Sequence, residues 1–127
     1  MSAAPQTASQ VILAVDDSAS MRQMVRFTLE SAGFKVVQAA DGVEALDFAK
    51  ANEVDLVLTD VNMPRMDGIT LVRELRTLAS YKFTPMLVLT TEAGSDAKQR
   101  GRQAGATGWI VKPFSPEQLL ATIARVL

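Results

Sequence analysis

Residues 11–17 read VILAVDD and residues 56–60 read LVLTD, two apolar, strand-like runs that each stop at carboxylates: Asp16 and Asp17 after the first, Asp60 after the second. Residues 86–91, MLVLTT, end in the hydroxyls of Thr90 and Thr91, and residues 109–112, WIVK, end in Lys112. If these runs are neighbouring parallel strands, three carboxylates, a hydroxyl and an ammonium meet at one edge of a sheet. The C-terminal strand edge is where open α/β sheets bind their ligands. The set suits Mg²⁺ and a phosphoryl group.

Working outward, apolar runs alternate with helix-like stretches five times, the pattern of a parallel sheet covered on both faces. Strands are expected over Val11 to Val15, Lys35 to Ala39, Asp55 to Thr59, Pro85 to Thr90 and Gly108 to Val111. Three are nearly all apolar, as strands buried on both faces should be, whereas Lys35 and Gln38 mark the second as an edge strand. A first helix is expected from about Ser20, with Ser20 and Gln23 as a capping box, an inner stripe of Met21, Met24, Val25, Thr28, Leu29 and Ala32, and Gly33 at its end. A short second helix spans Val43 to Ala51. A third faces inward through Ile69, Val72, Leu75 and Leu78. A fifth opens at Pro116 and is buried through Leu119, Leu120, Ile123, Val126 and Leu127. The fourth, about Ser95 to Ala104, is polar and contains Gly101, so it is expected to be the most easily displaced.

The chain has 127 residues, of which 48% are hydrophobic, enough for one domain with a real core. Thirteen basic against fourteen acidic residues give a formal net charge of −1, so no overall field draws it to nucleic acid or to an anionic membrane. No apolar run approaches the length needed to span a bilayer. Residues 1–9, rich in Ala, Ser, Gln, Thr and Pro with no apolar stretch or basic start, are expected to form a loose tail without a secretory signal, with residues 10–127 as the domain and no output domain beyond it. Neither cysteine nor histidine occurs. Thiolate zinc sites, imidazole bases and a phosphohistidine on this chain are therefore excluded, and any metal must be held by oxygen, which points to a hard cation. The absence of cysteine fits a reducing, cytoplasmic setting.

Singly, these motifs decide little. An Asp-Asp pair after a strand also caps a following helix, and Met63, Pro64, Asp67 and Gly68 are ordinary turn chemistry. Their conjunction after strands one, three, four and five of one sheet is what chance caps would not supply. Crowded carboxylates resist joint ionisation, so a divalent cation is the natural compensation, and a carboxylate can itself attack phosphorus.

Over residues 10 to 127 the chain resembles the receiver domains of two-component response regulators, and within them the stand-alone chemotaxis regulators. The resemblance rests on Val15-Asp16-Asp17, Asp60-Val61-Asn62-Met63-Pro64, Met66-Asp67-Gly68, Thr90 and Lys112-Pro113-Phe114. It implies a flavodoxin-like (βα)5 three-layer sandwich with parallel strand order 2-1-3-4-5. Residue by residue, it implies that Asp60 is the phosphoacceptor. Asp17 binds Mg²⁺ directly and Asp16 through water, with Asp60 and the backbone carbonyl of Asn62 as further ligands. Lys112 pairs with the acids at rest and with a phosphoryl oxygen afterwards, Thr90 moves to the phosphoryl group, and the Lys112–Pro113 bond is a candidate for the cis form. Trp109 takes the place of the aromatic that follows the threonine inward, usually tyrosine in chemotaxis regulators; an indole is bulkier and lacks the hydroxyl. The alternative is an interface tryptophan packing the outer face of an edge strand, and one ring can both pack and report. Thr91 stands where the family more often has a smaller residue, and with Asn62 and Glu92 it is expected to modulate phosphorylation and hydrolysis rates.

The resulting expectation is a monomeric, cytoplasmic phosphorylation switch rather than an enzyme. Its phosphodonor is a sensor histidine kinase, its target the flagellar motor switch protein, and its signal ends by slow hydrolysis with or without a phosphatase. Other stand-alone receivers, acting as phosphate sink or relay, share the same chemistry. An aspartate-nucleophile phosphatase would want a second acid two residues after the nucleophile, where Asp60 has Asn62 and Asp16 has Ser18. A nucleotide-binding module would want a glycine-rich loop after strand one, and none is present.

Overall fold

Five parallel strands, β1 (Val11–Val15), β2 (Lys35–Ala39), β3 (Leu56–Asp60), β4 (Met86–Thr90) and β5 (Gly108–Val111), form one sheet in the order β2-β1-β3-β4-β5 in the computed structural model of the protein. The structure describes residues 10–91 and 94–127; the expected tail at 1–9 and Glu92 lie outside the described residues. The strand order is the one implied by the resemblance, with Lys35-bearing β2 at one edge.

Strand alternation sorts the core into two layers. Ile12, Ala14, Leu56, Leu58, Leu87, Leu89 and Ile110 point to one face, where Val25 and Leu29 of helix α1 (Ala19–Ser31) and Leu119 and Ile123 of α5 (Pro116–Val126) cover them. Leu13, Val15, Val57, Met86 and Val88 point to the other, under α2 (Gly42–Ala51), α3 (Gly68–Arg76) and α4 (Ser95–Ala104). A short 3₁₀ turn, Ala79–Tyr81, follows α3. Its Tyr81 is fully buried, and the phenol donates to the Ala49 carbonyl at 2.8 Å and to that of Asn52, closing the end of α2.

Several expected boundaries move, each for a local reason. Helix α1 is capped by Ser18, whose hydroxyl accepts the Met21 N–H, and not by Ser20 and Gln23. The cause is Asp16, whose carboxylate accepts the Ser18 N–H at 2.9 Å and starts the turn two residues earlier. Strand β3 begins at Leu56 and includes Asp60, because Asp55 turns its carboxylate to the Val11 N–H and Asp60 pairs with Leu89. Pro85 precedes β4 instead of opening it. Ala32 and Leu127, expected in inner stripes, are exposed at the ends of their helices, whereas Gly33 takes the left-handed conformation (φ +98°) beyond the end of α1. Leu78 lies past the end of α3.

Among its described residues α4 buries only Gly101 and Ala104. Its C-terminal end is tied down by Arg76 of α3, which donates to the carbonyls of Gly105 (3.0 Å), Tyr81 (2.7 Å) and Lys82 (3.2 Å) and to the Thr107 hydroxyl (3.4 Å).

Candidate functional site

The parallel register brings Val15 beside Thr59 and Asp60 beside Leu89, so the turns after β1 and β3 open at the same edge. One ligand oxygen from each of Asp16, Asp17 and Asp60 lies within 4.8 Å of the others. Asp16 and Asp60 are buried and Asp17 is exposed at the rim. Backbone contacts hold the cluster from below. The Arg22 guanidinium donates to the Asp16 carbonyl at 2.6 Å, and the Val61 N–H donates to the Asp60 carboxylate at 2.9 Å. Gly68 is needed for this packing: a Cβ there would stand 2.0 Å from the Asp60 carbonyl oxygen.

Lys112 enters from the end of β5. Its ammonium stands 3.1 Å from an Asp60 oxygen and 3.4 Å from an Asp16 oxygen, and its N–H donates to the Thr90 carbonyl at 2.7 Å. The Lys112–Pro113 bond is cis. Burial pushes the Asp60 carboxyl above the usual aspartate range; the hydrogen bond from Lys112 opposes that push and the neighbouring Asp16 charge adds to it. A cluster of three carboxylates against one ammonium, all hard oxygen donors with no nitrogen or sulfur ligand, fits a small divalent cation such as Mg²⁺.

Thr90 is buried at the end of β4, and Thr91 beside it is exposed, as is Asn62 two residues after Asp60. Trp109 sits apart from the acids. From β5 it pairs with Val88 of β4 and packs against the α2–α3–α4 layer, with Gly101 opposite its ring: a Cβ at Gly101 would lie 2.9 Å from the indole. The indole N–H is buried without a hydrogen-bond partner among the described residues. Both readings of Trp109, as packing and as a mobile aromatic, are compatible with that seat.

Sequence reasoning missed Arg22, Gly68 as a packing residue, and an ion pair between Arg65 and Asp41 near the β3–α3 turn. For Gly68 the signal was present, since Asp67-Gly68 closes the loop that follows the acidic strand end, but turn chemistry explained it as well.

Residues 12–124 match the family model of the response regulator receiver domain. A chemotaxis protein CheY homologue of Campylobacter jejuni is 40% identical over 118 residues, covering 91% of both chains. The structure of the chemotaxis response regulator CheY4 of Vibrio cholerae superposes with a TM-score of 0.91 at 54% identity, over 94% of this chain and 99% of that one. The receiver domain of the Pseudomonas aeruginosa sensor histidine kinase PA1611, solved with a magnesium ion coordinated in its active-site cleft, superposes at 0.85 with 30% identity, over 92% and 96%.

Proposed function

The chain belongs to the response regulator receiver family, and from that premise we propose that it is a Mg²⁺-dependent phosphoryl switch whose acceptor is Asp60. The observation that carries the proposal is the meeting of Asp16, Asp17 and Asp60 oxygens within 4.8 Å, with the Lys112 ammonium bridging two of them. Asp17, Asp16, Asp60 and the Asn62 carbonyl would hold the metal, which when bound offsets charge on the transferred oxygens.

Asp60 attacks the phosphorus of a phosphohistidine on a sensor kinase, forming an O–P bond as the P–N bond breaks and the imidazole leaves. Lys112, already within hydrogen-bond distance of Asp60, exchanges its carboxylate partner for a phosphoryl oxygen. Thr90 turns its hydroxyl to the same group. That shifts a pre-existing equilibrium of α4 and of Trp109 and changes the surface formed by α4, β5 and α5. Asn62, Thr91 and Glu92 set the rate of water attack, by which the signal ends with or without a phosphatase.

The domain is taken as residues 10–127, acting as a cytoplasmic monomer. Likeness to chemotaxis regulators over nearly the whole of both chains favours the flagellar motor switch protein as target. A stand-alone phosphate sink or relay uses the same site. Intact mass after incubation with a small acyl phosphate tests the site: one phosphoryl adduct is expected in Mg²⁺, absent in chelator and in Asp60→Asn. No adduct on the parent would overturn it. Phosphodonor-dependent capture by a motor switch peptide is expected for a motor binder, and its absence would favour the sink.

A further inference from the structure

Residues 61–67 carry the Asn62 carbonyl, which the proposed metal site uses, yet Asn62 itself is exposed and the loop spans the open edge of the sheet. Two hydrogen bonds close the loop on itself: Met66 N–H to the Pro64 carbonyl at 2.7 Å, and Gly68 N–H to the Val61 carbonyl at 2.8 Å. Its start is tied to β4, where the Val61 N–H donates to the Leu89 carbonyl at 3.1 Å, and its far end is tied to α2. The Gly42 N–H at the start of α2 donates to the Met66 carbonyl at 3.2 Å, and a Cβ on Gly42 would stand 2.6 Å from that oxygen, so the two backbones touch.

Beside this contact the Arg65 guanidinium grips Asp41 with both arms, Nε on one oxygen at 2.9 Å and Nη2 on the other at 3.1 Å. Asp41 is buried, and its carboxylate also caps α2 by accepting the Glu44 N–H at 2.9 Å. Arg65 adopts φ +68°, a region that non-glycine residues enter seldom and that Asn and Asp tolerate best. Forked, charge-assisted pairs fix direction as well as distance. The left-handed backbone at Arg65 and the forked pair therefore define one orientation of the loop against α2.

We propose that Arg65 is a positioning residue: its pairing with Asp41 holds residues 61–67 so that the Asn62 carbonyl is presented to the metal, and thereby sets Mg²⁺ affinity. The proposal rests on the metal-site reading above. The bland alternative is a surface ion pair, since the Arg65 side chain is 59% exposed, and exposed pairs contribute little.

Asp41→Asn and Arg65→Asn separate the two. Asparagine retains the helix cap at 41 and the left-handed preference at 65, while both changes remove the ion pair. A field effect alone would act in opposite directions, because losing the aspartate weakens Mg²⁺ binding and losing the arginine strengthens it. Positioning requires both to weaken it. Titration calorimetry of the unphosphorylated chain with MgCl₂ is expected to show affinity falling about tenfold in each, the low end for partners that act through a ligand. The double variant should lose no more than either single one, and acyl phosphate labelling at saturating Mg²⁺ should reach the parent's rate. Unchanged affinity in both variants, opposite changes, or additive losses would overturn the proposal while leaving the switch intact. A parent that binds no Mg²⁺ would remove the metal site and the proposal together.

Discussion

Replacing Lys112 with methionine keeps the stem and removes the charge that now bridges Asp60 and Asp16. The three side chains are 16%, 11% and 5% exposed, so solvent cannot fully replace the lost cation. Breaking a buried pair by deleting one partner costs about 3–5 kcal/mol, and the open rim at Asp17 argues for the lower end. At about 2.1 cal/mol/K of unfolding entropy per residue, a loss of about 3 kcal/mol in a chain of 127 residues lowers Tm by roughly 10 °C. Mg²⁺ at a hundredfold excess over Kd would restore about 2.7 kcal/mol. At one fixed Mg²⁺ concentration the increment should be larger in the variant than in the parent, where Lys112 opposes a second cation.

The pH dependence has a defined sign. The Asp60 carboxyl is already pushed up by burial, and removing Lys112 pushes it further. A group whose folded-state pKa is raised contributes stability that is complete below its unfolded value and lost as pH rises through the folded one. The variant should therefore come closest to the parent in acid and fall behind as pH rises. Differential scanning calorimetry in chelator, across pH and then with Mg²⁺, reads all of this. Equal melting temperatures in chelator at pH 8, or a gap that widens on acidification, would refute the view that Lys112 holds repelling acids together.

Further outcomes follow from other contacts. Asp60→Asn in chelator should melt above the parent at neutral pH, and the difference should vanish on acidification as the native carboxyl gains its proton; a constant difference would point to packing. Gly101→Ala places a methyl against the Trp109 ring, and since this is the sole tryptophan its emission should shift to the red as the ring is driven outward. An unchanged spectrum would mean that α4 yields instead. Tyr81→Phe leaves two carbonyls without their donor and should lower stability by about 1–3 kcal/mol. Because Tyr81 lies at the N-terminal end of the sheet, phosphoryl labelling should not change.

What the sequence made legible was whatever depends on period and punctuation. Apolar runs ending in Asp16, Asp60, Thr90 and Lys112 placed the strands and their functional edge, since a parallel sheet buries both faces and leaves polar residues for its ends. What stayed hidden depends on partners distant in the chain. The exception is local: residue type does not tell Ser18 from Ser20 as a cap, and the choice is made by the Asp16 carboxylate, two residues away, reaching the Ser18 N–H. Arg65 and Asp41 are 24 residues apart and look like unrelated surface charges until two loops meet. Gly101 read as a flaw in α4, whereas the structure shows it as the notch that admits the Trp109 ring. The strand order itself came from family likeness, because alternation of strands and helices does not number the neighbours.

The Arg76 contacts determine what kind of movement α4 can make. Four hydrogen bonds from one guanidinium join Gly105, where the helix ends, and Thr107 just beyond it to the carbonyls of Tyr81 and Lys82, while the opposite end begins at Gly94 without a side-chain cap. A rod fixed at one end is a lever, and its free end travels farthest. Ten residues of helix give an arm of about 15 Å, so a tilt of about 4° carries the end near Thr90 through roughly 1 Å while Gly105 stays in place. In the proposed switch, a hydroxyl shift at the sheet edge would become angular displacement of a surface, with the fulcrum on the far side of the molecule from the chemistry.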